Sequence, residues 1–213
     1  MDKKYIFDIC WTLYKANTTF DFICFFSQSK SKKLYLGILD NKVVKILLIL
    51  IGKMVGMDIY RALYIFSLKG STKSQLEDAA REYVEYILSE KKIAFSHDFL
   101  NQSLRDKGGT ILLCSASLDC IVKAVALNLG VSSFYASELE YINGICTGKL
   151  RKDLLHTKVD LFKNEHKPFW VITDNKTDLD LIRQSENHTI LSNKKNMKFW
   201  NENGLSVGFI MED

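Results

Sequence analysis

Three short apolar runs, each broken off by an acid or a hydroxyl, constrain this chain more than anything else in it. The first is Tyr5-Ile6-Phe7-Asp8-Ile9-Cys10-Trp11-Thr12-Leu13. The second is Thr110-Ile111-Leu112-Leu113-Cys114, running into Ser115-Ala116-Ser117. The third is Phe169-Trp170-Val171-Ile172-Thr173, running into Asp174-Asn175-Lys176-Thr177-Asp178. Short apolar runs bounded by polar residues read as strands buried on both faces, which is the mark of a parallel sheet. In open α/β sheets ligands bind beyond the carboxyl ends of the strands, so Asp8, Ser115, Asp174 and Asp178 fall on one edge. Each alone equally suits a turn or a helix cap. Their recurrence in order is what points to a site.

The stretch between the first two runs reads differently. Thr18 to Phe26 is an aromatic-rich helix, and Ser27 to Lys33 is a polar, basic joint. Val43 to Gly52 is the most apolar segment of the chain, yet Lys45 and Lys53 bracket only seven residues of it. A membrane-spanning helix needs about 20 apolar residues. The segment therefore reads as a buried helix of a helical subdomain, with weak contact at a membrane surface as the second reading. Thr72 and Gln75 have the spacing of a capping box. Leu76, Ala79, Ala80, Tyr83, Val84, Ile87 and Leu88 then follow one helical face. Residues 15–95 are thus expected to form a helical cap, inserted into an α/β core made of 1–14 and 96–213. Further along, the sequence predicts a helix from Leu118 to Leu129 closed by Gly130 and a short strand over Ser132 to Ala136. A helix from about Thr157 and late strands at Thr189 to Ser192 and Leu205 to Ile210 complete the expectation. Strands alternating with helices indicate a parallel sheet covered on both faces.

The 213 residues allow one well-buried core. A net charge of +4 without any basic block suits an anionic small molecule and excludes a nucleic-acid footprint. The five cysteines, Cys10, Cys24, Cys114, Cys120 and Cys146, are odd in number and form no C-x-x-C pair. They read as reduced thiols of a cytoplasmic protein. No secretory signal is expected, because Asp8 interrupts the first apolar run. His97, His156, His166 and His188 lack metal-ligand spacing and read as surface residues.

Taken in order, these segments resemble the haloacid dehalogenase superfamily, in its phosphoserine-phosphatase-like branch. That family has an aspartate motif D-x-D-x-T at the first strand and a helical cap after it. A hydrophobic strand ending in Ser or Thr, a lysine and an acidic motif follow. The counterparts here are Asp8-Ile9-Cys10-Trp11-Thr12, Leu113-Cys114-Ser115-Ala116-Ser117, Lys158, and Thr173-Asp174 through Asp178. The stretch Leu129 to Glu140, with Asn143-Gly144 through Gly148-Lys149, is also typical of the branch. The resemblance implies a Rossmann-like core and a Mg²⁺-dependent phosphatase acting on a small phosphorylated metabolite. Asp8 would be the nucleophile of an aspartyl-phosphate intermediate. Asp8, Asp174 and the backbone carbonyl of Cys10 would hold the metal, and Asp178 would orient Lys158 or the metal's water shell. Thr12, Ser115, Ala116, Ser117 and Lys158 would hold the phosphoryl group. Lys149 and Lys152 are rivals of Lys158, and Ser115 suits a helix cap as well.

The family's second aspartate is replaced by Cys10. In the phosphatases that residue is the general acid/base, and a thiol with an ordinary pKa of about 8.5 is a poorer relay at neutral pH. Trp11 also stands where a small residue is usual. Two functions follow from the resemblance: a phosphatase slowed by Cys10, and an impaired relative that binds a phosphorylated ligand or partner without turnover. Action on a lipid phosphate at a membrane surface is a third.

Overall fold

The computed structural model describes residues 3–105, 109–165 and 168–211. The first strand, β1 (Lys3–Phe7), is followed by α1 (Thr18–Phe26), α2 (Lys30–Asp40), α3 (Lys42–Val55), α4 (Ile59–Phe66), α5 (Lys73–Glu82) and α6 (Ala94–Arg105). Then come β2 (Gly109–Leu118), α7 (Asp119–Leu129), β3 (Ser133–Ile142), β4 (Ile145–Lys152) and β5 (Phe169–Thr173). The chain finishes with α8 (Leu179–Gln184), β6 (Asn187–Ser192), α9 (Met197–Glu202) and β7 (Phe209–Ile210). Sheet order is β4-β3-β2-β1-β5-β6-β7, and every pairing except β3 with β4 is parallel. This is the α/β, Rossmann-like architecture the sequence predicts, with β1 at its centre.

Side chains alternate across a strand, and β1 uses both faces. Tyr5 and Phe7 point into a cluster that runs on through Leu113 to Phe22, Tyr64, Leu76 and Tyr83 of the helical stretch. Ile6 points the other way, joining Leu112, Val171, Phe162, Leu181 and Trp200. Helix ends follow local chemistry. Thr72 and Gln75 form both bonds of the capping box, and Gly130 ends α7 at φ 67°.

Four expectations change. The face from Leu76 to Leu88 does not stay α-helical: Tyr83–Leu88 is a π-helical turn. The extra residue per turn swings Ile87 out to solvent while Leu88 stays buried. The strand expected at Ser132 to Ala136 runs on to Ile142 and returns as β4 through an Asn143-Gly144 turn with φ of 50° and 78°. That dipeptide is the strongest short hairpin signal. Lys149 to Lys152 therefore lie on an edge strand, and the helix from Thr157 is only a short 3-10 turn, Lys158–Phe162. Finally, α3 is not a buried helix. Only Gly52 in it is buried, and apart from the partly buried Leu48 and Val44 its large apolar residues stand out in solvent.

Residues 106–108 and His166 lie outside the described residues. Of the other histidines, His97 is not a plain surface residue. It is half-buried, edge-on to Tyr14 at 5.1 Å, with Nε2 3.1 Å from the Leu13 carbonyl.

Candidate active site

Parallel pairing decides what can meet. Phe7 is in register with Leu113 on β2 and with Ile172 on β5, so the residues that follow these three strands emerge side by side. Asp8 continues β1, its N–H donating to the Ile172 carbonyl at 3.0 Å. The chain then wraps around one acceptor: the N–H groups of Thr12, Leu13 and Tyr14 all point at the Ile9 carbonyl. Trp11 takes φ 53° in this turn, a left-handed conformation uncommon for a bulky residue. The turn leaves the indole about half exposed at the pocket mouth.

Asp8 is 4% exposed. Its Oδ1 accepts the Ile9 N–H at 2.8 Å and lies 3.1 Å from Lys158 Nζ. Among the described residues neither contact involves Oδ2. Lys158 is equally buried and also donates to Asp178 Oδ2 at 2.9 Å, where the Thr173 hydroxyl donates as well at 2.8 Å. Burial works against the Lys158 charge, but Asp178 and Asp8 outweigh it and hold the ammonium proton more tightly than usual. For Asp8 burial pushes the carboxyl up, with the Lys158 charge pulling it back. Lys158 is thus the lysine at the site, and its rivals Lys149 and Lys152 sit on β4.

Asp174 comes from the end of β5 and is held by Thr12, whose hydroxyl donates to Oδ1 at 3.2 Å and accepts the Asp174 N–H at 3.0 Å. Burial first, and the Asp8 charge second, push the Asp174 carboxyl up to about 8. Two carboxylates facing each other without enough counter-charge are a fit for a hard dication. Among the described residues no group of three or more His, Cys, Asp or Glu side chains gathers at one point. Two carboxylates with waters and backbone oxygen is the donor set Mg²⁺ prefers.

The neighbouring candidate residues are held by bonds of their own. Thr12 is fully buried and bound to Asp174. Asp178 has its carboxylate engaged by Lys158 and Thr173. The Ala116 carbonyl accepts from Arg61 Nη2 at 2.7 Å and from the Ser137 hydroxyl at 3.0 Å. Ser115 does not cap a helix, since α7 begins after Leu118 and has no side-chain cap. Its hydroxyl lies 3.1 Å from that of Ser117 and accepts the Ser117 N–H at 3.3 Å.

Cys10 sits in this hydroxyl cluster. Its Sγ is 3.2 Å from both Thr18 Oγ1 and Ser117 Oγ, which are themselves 2.6 Å apart. Burial pushes the thiol up, the Asp8 charge adds to it, and the two hydroxyls only partly offset this. The sulfur therefore keeps its proton.

Arg61 on α4 is the residue that sequence reasoning missed. It is buried, lines the pocket, pairs with Asp153 at 2.6 Å and reaches Ser137 at 3.3 Å as well as Ala116. A lone arginine inside the apolar run Ile59 to Phe66 was its only signal. The pocket over Asp8 measures about 250 Å³ and is lined also by Cys10, Trp11, Asn17, Asp58, Ser117 and Asn175.

A model of the haloacid dehalogenase-like hydrolase family matches residues 6–183. No curated protein matches the sequence. Among solved structures, a protein of unknown function from Bordetella pertussis Tohama I superposes with a TM-score of 0.75 at 13% identity, over 100% of this chain and 99% of that one. Cytosolic 5′-nucleotidase IIIB bound to cytidine gives 0.67 at 16% identity, covering 99% and 80%. Phosphoserine phosphatase in its apo form gives 0.61 at 15% identity, covering 100% and 94%. At such identities the likeness is one of fold.

Proposed function

Because the chain belongs to the haloacid dehalogenase-like hydrolases, we propose that it is a Mg²⁺-dependent phosphohydrolase of a small phosphate ester, with Asp8 as nucleophile. The observation that carries this reading is the arrangement in which buried Lys158 bridges Asp8 and Asp178 while Asp174 lines the same pocket as Asp8. A phosphate monoester resists attack because it is anionic, so a site must fix the nucleophile and neutralise charge.

Asp8 Oδ1 is fixed by Ile9 and Lys158, which leaves Oδ2 to attack phosphorus. The new bond is O–P, and the bond to the leaving alkoxide breaks. The Lys158 ammonium and the Ser115 hydroxyl stabilise the equatorial phosphoryl oxygens. Asp8, Asp174 and the Cys10 carbonyl would hold Mg²⁺, which would supply further charge for the phosphoryl oxygens. Arg61 adds a second buried cation, aimed at the Ser115–Ser117 segment.

Cys10 limits this cycle. Giving its proton to the leaving group would place a thiolate beside Asp8, and taking one from the attacking water would need a thiolate already there. Phosphates whose leaving group needs no proton, such as the acyl phosphate acetyl phosphate or the ester p-nitrophenyl phosphate, should therefore turn over faster than alkyl phosphates. The second reading is ligand binding without turnover, and the engaged thiol favours it.

Phosphate release from these phosphates, with and without Mg²⁺, separates the two. Turnover that requires Mg²⁺ and vanishes in Asp8→Asn supports hydrolysis. Cys10→Asp should raise turnover about tenfold or more, toward the 10²–10⁴-fold typical of acid/base groups. Cys10→Ala should change little. No release from any ester, and none in Cys10→Asp with the fold intact, would leave binding as the function.

A further inference from the structure

The apolar face of α3 points away from the protein. Val43, Ile46, Leu47, Leu50 and Met54 follow the spacing that places residues on one side of a helix, and they are 66, 59, 53, 52 and 86% exposed. The opposite side is the one that packs. There Gly52 lies so close to the Met57 carbonyl that a Cβ would come within 2.5 Å of it, and Lys45 Nζ lies 4.8 Å from the Tyr60 ring centre. A contiguous apolar surface of this kind marks a binding face.

Charge selects what it binds. Residues 30–57 carry six lysines, Lys30, Lys32, Lys33, Lys42, Lys45 and Lys53, against the single acid Asp40. Asp40 is itself taken up by the hydroxyls of Tyr60 and Tyr64. A second copy of the chain would set lysines against lysines. An anionic bilayer offers headgroups to the lysines and acyl chains to the apolar face. On a 3.6-residue wheel Lys42 and Lys53 lie about 90° from the centre of that face, where their stems can run along apolar surface with the ammonium in the headgroups. The 14 residues of α3 span about 21 Å, short of the roughly 30 Å hydrocarbon core. Among the described residues no helix is long and apolar enough to cross a membrane.

We propose that α3 lies in the plane of an anionic membrane surface and docks the protein there, with Leu47 and Leu50 in the acyl boundary and Lys42 and Lys53 among the headgroups. The inner flank of the same helix lines a cavity of about 490 Å³ that shares Asp58 and Leu155 with the pocket over Asp8. Docking through α3 therefore brings that pocket near the lipid. The inference stands apart from hydrolysis, because membrane docking requires no turnover.

Co-sedimentation of the full chain with vesicles tests it, using phosphatidylcholine alone or mixed with phosphatidylglycerol. Wild type should bind the mixed vesicles at low salt, at least about tenfold more tightly than phosphatidylcholine alone, and weaken as salt rises. Leu47→Glu with Leu50→Glu should abolish binding, and Lys42→Glu with Lys53→Glu should weaken it and flatten its salt dependence. Melting curves of both variants should match wild type. Failure of wild type to bind mixed vesicles, or full binding by the Leu47→Glu/Leu50→Glu variant, overturns the proposal. So does a wild-type dimer that this variant splits while vesicles remain unbound, since a second copy would then be the occupant. Phosphate release from soluble esters is read separately, so either result can fail without the other.

Discussion

At the carboxyl ends of β1 and β5, Asp8, Thr12, Lys158 and Asp178 are almost sealed from water, while on α3 five large apolar side chains are held out in it. Both regions reverse the ordinary distribution of residues. They do so by different means. In the pocket Lys158 serves two carboxylates, Asp8 and Asp178, and Thr173 and Ile9 supply further bonds, while Asp174 is held by the Thr12 hydroxyl. On α3 nothing compensates, and the apolar surface stays open. A buried polar cluster tied together by its own bonds is a site built to hold charge still. An exposed apolar face is a site whose partner is elsewhere.

The comparison breaks first at Lys158. Lys158→Met leaves Asp8 and Asp178 buried together without counter-charge, which should cost about 3–5 kcal/mol of stability. Phosphate release should fall about 10²–10³-fold with loss of a preorganised donor. Denaturant titration and ester turnover measure the two effects, and unchanged stability would show that the bridge is not what permits the burial.

A second contrast sets packed against open apolar residues. Phe22, fully buried, stacked with Phe26 and edge-on to Tyr83, should cost about 3–5 kcal/mol when changed to Ala. Leu50→Glu on α3 should stay within about 0.5 kcal/mol, as surface changes do. A large loss for Leu50→Glu would mean that α3 is packed by the protein itself.

The smallest effect concerns His97, which braces the turn after Asp8 through the Leu13 carbonyl. Burial lowers its pKa below the ordinary 6.5, with Lys92 adding to the shift. The folded state then resists protonation that the unfolded chain accepts, so stability should be intact above 6.5 and decline as pH falls through that value. His97→Gln should flatten this slope in thermal melts taken across the range. An unchanged slope would place the titrating group elsewhere.

What the sequence disclosed follows the same division. Asp8, Ser115 and Asp174 were legible because each ends an apolar strand, and parallel register then brings the ends together. Lys158 was legible through its family counterpart and its register with Leu161 and Phe162, although the turn it sits on is a short 3-10 one. Arg61 stayed hidden because its meaning depends on Asp153, 92 residues away. The strand β4 was missed because an edge strand carrying Lys149, Arg151 and Lys152 lacks an apolar run, although Asn143-Gly144 announced the hairpin. The apolar character of α3 was plain, but hydrophobicity does not say which way a face will point.

The central claim is that Asp8 takes the phosphoryl group, and acid-quenched labelling tests it most directly. The protein is mixed with Mg²⁺ and p-nitrophenyl or acetyl phosphate, quenched in acid within one turnover, digested and mapped by mass spectrometry. The account predicts a phosphoryl group on the peptide containing Asp8, lost on treatment with hydroxylamine and absent in Asp8→Asn. Because Cys10 gives water no base, the label should outlast that in Cys10→Asp. Turnover without any label on that peptide, or a label on another residue, would contradict it.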